Sequence, residues 1–228
     1  IYKNVNKKLF KILPDKKIIP KFKVGYEITQ MKLLTIVDYK IENQKSLEIF
    51  FKNLGYDTNL THQKNEIDKS EIIILPGIGA FPSAIKSLKE NNLIDIIRKK
   101  ANTGTPIIGI CLGMQLLASK SYEFEETKGL NLIPGEIKKL NSSNFHIGWN
   151  NIKKTNKAVE LWFSEIDGFF FNHSYYYEGK NKYIFAKTNY NQQIPAIIKK
   201  KKIYGIQFHP ERSQEAGKNL LINLLRTL

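Results

Sequence analysis

Three short runs of consecutive apolar residues constrain the fold of this chain more than any other feature. They lie at residues 33–37, 72–75 and 107–110, and each is separated from the next by segments with helical periodicity. Because apolar residues follow one another without alternation, each run predicts a strand buried on both faces, as in a parallel sheet covered by helices. Helices are predicted at 43–54, from Pro82, at 93–100, at 112–117 and from about 214.

The second half of the chain predicts shorter strands, at residues 169–171, 183–187 and 203–207, with a solvated hairpin turn at the lysine run 199–202. The fold class is therefore α/β: a mostly parallel central sheet with helices on both faces, plus short antiparallel strands in the C-terminal half.

The first thirty residues differ from the rest in composition. They contain eight lysines against Asp15 and Glu27, and Pro14 and Pro20 interrupt any long periodicity. We expect the domain to span residues 31–228, and residues 1–30 to be a basic N-terminal arm or a stretch upstream of the natural start.

Composition limits the partners. The net charge of +15 invites a nucleic-acid interpretation. However, the lysines are spread along the whole chain and no zinc-ligand spacing or RNA-recognition signature occurs, so we expect no nucleic acid. No apolar run approaches the roughly 20 residues that span a bilayer, so we expect no membrane. The single cysteine, Cys111, excludes an internal disulfide and favours a cytoplasmic protein with a free thiol.

Cys111 stands at the centre of the pattern G-x-C-x-G at residues 109–113, where a buried strand meets a helix. This is the pattern of a nucleophile elbow with cysteine in place of serine. The glycines allow a tight, strained turn, the helix N-terminus stabilises a thiolate, and the amide of Leu112 can donate to an oxyanion.

His209 and Glu211 provide a base and a group that orients it. Residues two apart on an extended segment face the same side, so Glu211 can accept the second ring N–H of His209. A third segment, Gly77, Ile78 and Gly79, follows a buried strand and could complete an oxyanion hole with Leu112. The G-x-G-x-x-G pattern of a dinucleotide site is absent, because no glycine follows at the required spacing.

Together the segments 109–117 and 205–211 resemble the class I (triad) glutamine amidotransferases. The segments 76–81, 146–150 and 172–176 narrow the resemblance to the glutaminase subunit of imidazole glycerol phosphate synthase. The resemblance runs from about residue 31 to the C-terminus and implies a flavodoxin-like fold. Residues 1–30 have no counterpart in the pattern of this family.

The resemblance implies a role for each matching position. Cys111 would attack the glutamine amide and form a thioester, with His209 moving the proton and Glu211 orienting it. The oxyanion hole would be formed by Gly77, Ile78, Gly79 and Leu112. Glutamine would be held by Gln115, by the backbone at Ser174 and Tyr175, and by Glu123, although Glu125 and Glu126 compete for that last position. Trp149 and Tyr176 would lie near a partner interface or in the core, and nothing is inferred from His62 or His146. No cofactor and no metal are implied.

The implied reaction is hydrolysis of glutamine to glutamate and ammonia, with the ammonia passed to a separate (βα)8-barrel cyclase in a heterodimer. The glutaminase is the hydrolase part of a lyase complex of histidine biosynthesis. We expect low activity alone and activation when the partner binds its ligand.

Three alternatives stay open. The chain could be a paralogue with the same catalytic residues that supplies ammonia for amidino sugars of surface polysaccharides or flagellin. It could be a catalytically inactive docking module, which the intact Cys, His and Glu set argues against. It could also be another hydrolase with an acyl-thioester intermediate, which Gln115 and the segment 172–176 argue against.

Overall fold

The computed structural model describes residues 32–40, 43–141, 145–155 and 163–228. The chain divides into two units, Ile1–Gln30 and Met31–Leu228. The first unit lies outside the described residues, so the predicted basic arm stays a prediction.

The described residues form strands and helices in an order that begins with strict alternation. The strands are β1 (Leu34–Val37), β2 (Thr58–Thr61), β3 (Ile72–Leu75), β4 (Ile107–Ile110), β5 (Lys120–Ser121), β6 (Thr127–Lys128), β7 (Gly135–Lys139), β8 (His146–Asn151), β9 (Lys153–Lys154), β10 (Gly168–His173), β11 (Tyr175–Gly179), β12 (Ile184–Tyr190), β13 (Gln192–Lys200) and β14 (Ile203–Ile206). The helices are α1 (Gln44–Asn53), α2 (Lys64–Asp68), α3 (Phe81–Glu90), α4 (Ile94–Asn102), α5 (Leu112–Leu116) and α6 (Gln214–Arg226).

The central sheet has eight strands in the order β2-β1-β3-β4-β14-β13-β12-β9. The first five run parallel, in the order typical of flavodoxin-like folds, and the last three are antiparallel. The predicted α/β fold with a largely parallel sheet and additional antiparallel strands is confirmed.

Helices cover both faces of this sheet, which explains why its strands are apolar throughout. On β3, Ile73 packs into the core beneath α3, α4 and α5, whereas the next residue, Ile74, packs into the core beneath α1 and α6. Successive side chains of a strand point to opposite faces, so a strand with a core on each side needs an apolar residue at every position.

Several predicted boundaries differ from the structure. The helix predicted at 93–100 extends to Asn102, and the strand predicted at 169–171 is the middle of the longer β10. Residue 183, expected to open a strand, closes a 3₁₀ turn, Asn181–Tyr183. The lysine hairpin predicted at 199–202 joins β13 to β14, but its turn is only Lys201 and Lys202, because Lys199 and Lys200 belong to β13 and Lys200 pairs with Ile203.

Two smaller sheets place the rest of the site; the first is antiparallel, and the second is mixed because β5 and β7 run parallel. One pairs β10 with β8, and the other has the order β11-β7-β5-β6. Since β10 ends at His173 and β11 begins at Tyr175, the chain passes from one sheet to the other at Ser174. This crossing lies beside α5, because Gln115 of that helix contacts Tyr175. Within the described ranges, no helix is long and apolar enough to cross a membrane.

Candidate active site

Cys111 occupies the sharp turn that the glycine pattern predicts. It joins β4 to α5 with φ 52° and ψ −107°, a left-handed backbone that costs energy for any residue with a Cβ. A Cβ on Gly109 would lie 2.4 Å from the Gly113 carbonyl oxygen, and a Cβ on Gly113 would lie 1.9 Å from the Leu75 carbonyl oxygen. Both glycines are therefore required by close packing around the turn, and the turn presents the thiol at the carboxyl end of the parallel strands.

The Cys111 sulfur has polar neighbours of two kinds. Its thiol donates to the carbonyl of Asn172 at 3.7 Å, and the side-chain amide of Gln207 donates to the sulfur at 3.9 Å. The carbonyl suits the protonated thiol and the amide donor suits the thiolate, so both forms have a neighbour at this position.

His209 and Glu211 lie together just after β14, but not on the extended segment that was predicted, because Glu211 belongs to a 3₁₀ turn, Pro210–Arg212, that His209 precedes. His209 Nδ1 and Glu211 Oε1 are 2.9 Å apart, and their side chains are 1% and 4% exposed. Burial lowers the pKa of His209, but the charge of Cys111, a hydrogen bond to it and the Glu211 carboxylate together raise that pKa to about 10. His209 Nε2 is buried and makes no hydrogen bond of ordinary geometry to the described residues. Cys111 interacts with this ring and raises its pKa.

Glu211 has a second contact that the sequence did not indicate. Asn43 Nδ2 donates to Glu211 Oε1 at 2.7 Å. Burial raises the pKa of this carboxyl, but hydrogen bonding and charge from His209 and the hydrogen bond from Asn43 lower it overall. Asn43 stands at the N-cap of α1 with φ 74°, yet makes no capping bond. Its side chain is used on Glu211 instead, a contact across 168 positions that no local pattern could have predicted.

A cavity of about 210 Å³ opens beside Cys111. The predicted oxyanion residues line it together: Gly77, Ile78, Gly79 and Leu112. Gly79 has φ +137°, a backbone conformation that favours glycine. Just before this segment, the buried Tyr39 hydroxyl donates to the carbonyl of Pro76. Burial, assisted by Cys111, raises the pKa of Tyr39 well above its ordinary value, so the hydroxyl keeps its proton and anchors the loop to β1.

Gln115, one turn into α5, also lines the cavity and is 5% exposed. Its Nε2 donates to the Tyr175 carbonyl at 2.9 Å, so the oxygen of the same amide is the end left to accept from a ligand. Ser174 and Tyr175, whose backbone was predicted to hold glutamine, also line the cavity. However, the carbonyl of Ser174 accepts from the Leu140 amide at 3.1 Å, so the carbonyls of both residues already have protein donors.

Glu123 is the one of the three neighbouring glutamates that faces the cavity. Its Oε2 accepts from the Phe81 amide at 2.8 Å, at the N-terminus of α3. Burial raises the pKa of Glu123 above its ordinary value, and the hydrogen bond from the Phe81 amide offsets only part of this rise. In contrast, Glu125 is exposed and Glu126 pairs with Lys120 on the surface at 3.0 Å.

The eleven predicted site residues thus lie in one region: nine line the cavity, and His209, paired with Glu211, interacts with Cys111. Two aromatic residues were predicted to lie either in the core or at a partner interface, and the structure places them differently. Tyr176 is 9% exposed and belongs to a core cluster, whereas Trp149 is 49% exposed on β8. In the part of the chain that the structure describes, no group of three or more His, Cys, Asp or Glu residues could hold a metal ion.

Known proteins resemble this chain over most of its length. The family model for glutamine amidotransferase class-I matches residues 35–227. The imidazole glycerol phosphate synthase subunit HisH of Lactococcus lactis subsp. lactis is 43% identical over 196 residues, covering 84% of this chain and 96% of that protein. The same subunit of Carboxydothermus hydrogenoformans is 38% identical over 199 residues, covering 86% of this chain and 100% of that protein.

Solved structures agree on the fold at lower identity. PurLQS from Thermotoga maritima superposes with a TM-score of 0.70 at 20% identity, covering 86% of this chain and 99% of that chain. A glutamine amidotransferase from the same organism superposes with a TM-score of 0.62 at 17% identity, covering 86% and 97%.

Proposed function

Because this chain belongs to the class I glutamine amidotransferases, we propose that it is the glutaminase subunit of imidazole glycerol phosphate synthase. It hydrolyses glutamine to glutamate and ammonia, and the ammonia passes to a cyclase subunit of histidine biosynthesis. The observation that carries the proposal is the buried contact of His209 with Glu211, together with the interaction of His209 with Cys111, which lines the cavity.

The arrangement accounts for nucleophilic attack. With the pKa of His209 raised to about 10, the imidazolium is the favoured form at neutral pH, and it stabilises the Cys111 thiolate. The sulfur adds to the carbonyl carbon of the glutamine side-chain amide. The amide oxygen becomes an oxyanion, which the amide of Leu112 and the segment Gly77–Gly79 would stabilise.

Collapse of the tetrahedral intermediate breaks the C–N bond. His209 Nε2 gives its proton to the leaving nitrogen, so ammonia departs and a thioester to Cys111 remains. The neutral ring then takes a proton from water as the water oxygen adds to the thioester carbon. Breaking the C–S bond releases glutamate and restores the thiolate beside the imidazolium.

The substrate would be oriented by two further groups that line the cavity. Glu123 presents a buried carboxylate to the α-ammonium group of glutamine, and the Gln115 side-chain oxygen accepts a second hydrogen bond from that group. The Tyr175 carbonyl already accepts two hydrogen bonds, so Tyr175 would contribute its amide and side chain, whereas the Ser174 carbonyl, with one donor, keeps a lone pair for the substrate.

The partner is proposed to be a separate (βα)8-barrel cyclase. Along β8, alternate residues point outward, and Ile147 and Trp149 are 56% and 49% exposed, with Phe145 just before the strand 56% exposed. An exposed apolar stripe of this kind is typical of an interface. We place the complex in the cytoplasm, where the single free thiol of Cys111 would stay reduced.

The experiment uses the purified complex of this chain with its cyclase subunit. Glutamine-dependent synthesis should be lost in Cys111→Ala, whereas synthesis from added ammonia should continue at the parental rate, because only the glutaminase chemistry has been removed. Loss of both activities, or no complex with the cyclase, would contradict the proposal. Glutaminase activity of the isolated chain should be much lower than that of the complex with cyclase ligand bound.

The same complex separates the histidine pathway from the alternative of amidino-sugar synthesis. The similar proteins reported above carry the name of the imidazole glycerol phosphate synthase subunit, which favours the histidine pathway. Glutamine-dependent amidination of a sugar with no formation of imidazole glycerol phosphate would favour the alternative.

A further inference from the structure

Two buried histidines have no part in the proposed reaction, although His173 lines the cavity and His146 contacts His173. His146 on β8 and His173 at the end of β10 face each other in the β8–β10 ladder. Their side chains meet, with His146 Nδ1 and His173 Nε2 3.1 Å apart, and the residues are 0% and 7% exposed.

The groups at the two ends of this pair fix its protons. His173 Nδ1 lies 2.9 Å from the Tyr175 carbonyl oxygen, which can only accept, so this nitrogen carries a hydrogen. His173 Nε2 of a neutral ring then accepts, and His146 Nδ1 must be the donor. His146 Nε2 in turn accepts from Asn150 Nδ2 at 2.6 Å. One assignment, with hydrogen on Nδ1 of both rings, satisfies every contact.

The surroundings keep both rings uncharged and immobile. Burial lowers the pKa of His146 to about 4. Burial, and then the charges of His146 and His209, lower the pKa of His173 to about 3. The His146 ring is stacked between Phe171 and Tyr190, with centroid distances of 4.5 and 4.1 Å and interplanar angles of 16° and 15°. A charge on His173 would also oppose the imidazolium of His209.

The chain of hydrogen bonds ends at a carbonyl that the site uses. The Tyr175 oxygen accepts from His173 Nδ1 and also from Gln115 Nε2, both at 2.9 Å. The position of the Tyr175 carbonyl oxygen therefore sets the direction in which Gln115 presents its side-chain amide to the cavity.

We propose that His146 and His173 are positioning residues for glutamine binding. A one-directional hydrogen-bond chain runs from Asn150 through both neutral rings and holds the Tyr175 carbonyl, against which Gln115 is oriented. This role rests on the proposed glutaminase function, whereas the hydrogen positions in the series of hydrogen bonds from Asn150 to Tyr175 do not depend on that function.

The first test is nitrogen NMR of the histidine rings in the full chain at pH 7. Single histidine variants assign the signals. Hydrogen on Nδ1 and an unprotonated Nε2 are expected at both His146 and His173. Hydrogen on Nε2, or an imidazolium, at either ring would overturn the proposal whether or not the protein binds glutamine.

The second test measures glutamine affinity by calorimetry in the Cys111→Ala background, where the substrate is not consumed. His173→Phe removes the donor to Tyr175 and should raise the glutamine Kd about five- to tenfold, the effect of one lost hydrogen bond. His173→Asn, whose Nδ2 can replace Nδ1, should restore the Kd to within about twofold of the background. The exposed His62→Asn is the matched control and should leave the Kd unchanged.

The outcomes separate the two proposals. An unchanged Kd in His173→Phe, or an Asn variant no better than the Phe variant, overturns the positioning role. If His173→Phe does not fold, His146→Phe, which keeps the stacking but removes the relay, carries the same expectation and the same refutation. If the Cys111→Ala background itself binds no glutamine, the proposed function fails, and the NMR result still decides the hydrogen-bond chain.

Discussion

Replacing Asn43 by glycine should slow glutamine hydrolysis without emptying the substrate site. The side chain of Asn43 touches Glu211, which orients His209, and it does not line the cavity. Glycine is the informative replacement because Asn43 has φ 74°, where alanine would add a backbone penalty of about 1–2 kcal/mol. The variant therefore removes the hydrogen bond and little else.

The size of the effect follows from what remains on Glu211. Its Oε1 accepts two hydrogen bonds, at 2.9 Å from His209 and at 2.7 Å from Asn43. Its Oε2 is buried and has no partner among the described residues. The variant thus removes one of two bonds to a buried carboxylate, and a bond to a charged group is worth about 1.5–3 kcal/mol. This free energy corresponds to a fall in kcat of between about tenfold and about a hundredfold, and we expect KM to change less than about twofold.

Steady-state glutaminase measurements on the complex with the cyclase provide kcat and KM, and thermal unfolding of the chain reports the accompanying loss of stability. Asn92→Gly is the matched control, because Asn92 also has positive φ, at 54°, but is exposed and outside the site. Asn43→Asp should be worse than Asn43→Gly, since it places a second carboxylate against Glu211. A kcat within twofold of the parent in Asn43→Gly, together with reduced stability, would show that this contact is structural and does not position His209.

The remaining predictions concern three other groups of the site. Because the pKa of His209 is raised above its unfolded value of about 6.5 to about 10, the stability it contributes is complete below pH 6.5 and should be lost as the pH rises toward 10. Cys111→Ala should reduce that decline, as measured by denaturant unfolding at a series of pH values. Glu123→Gln should raise KM for glutamine about ten- to a hundredfold with little change in kcat, as steady-state kinetics would report. Gly113→Ala should cost more than about 3 kcal/mol or prevent folding, because its Cβ would meet a backbone carbonyl at 1.9 Å, and thermal unfolding would detect this.

The last two of these predictions have a control in the same chain. Glu125→Gln alters an exposed glutamate two residues from Glu123 and should leave KM unchanged. Gly104→Ala meets no atom within 4 Å and should cost only the 1–2 kcal/mol or so of its positive φ of 87°. Stability that does not depend on pH between 7 and 10, an unaltered KM in Glu123→Gln, or a Gly113→Ala variant as stable as Gly104→Ala would each contradict the corresponding argument.

The sequence predicted those strands that are buried on both faces and missed most of the others. The strands β3 and β4 have the predicted bounds, because a core on each side demands an apolar residue at every position. The edge strand β2, with the sequence TNLT, and β8, with alternating buried and exposed residues around a glycine, have no such signal. Their pairing depends on neighbours far along the chain, which a local pattern does not contain.

The candidate site divides in the same way. The turn at Cys111 and the contact between His209 and Glu211 are local, because both involve residues at most two positions apart, and a local pattern was enough to predict them. No local pattern shows which of the three glutamates faces the cavity, or that Asn43 reaches Glu211 across 168 positions, because both depend on how the domain packs. The same packing decides that two histidines 27 positions apart share one hydrogen bond. A short segment fixes the directions of its own side chains through backbone geometry, whereas a contact between distant segments exists only once the packing of the whole domain has brought them together.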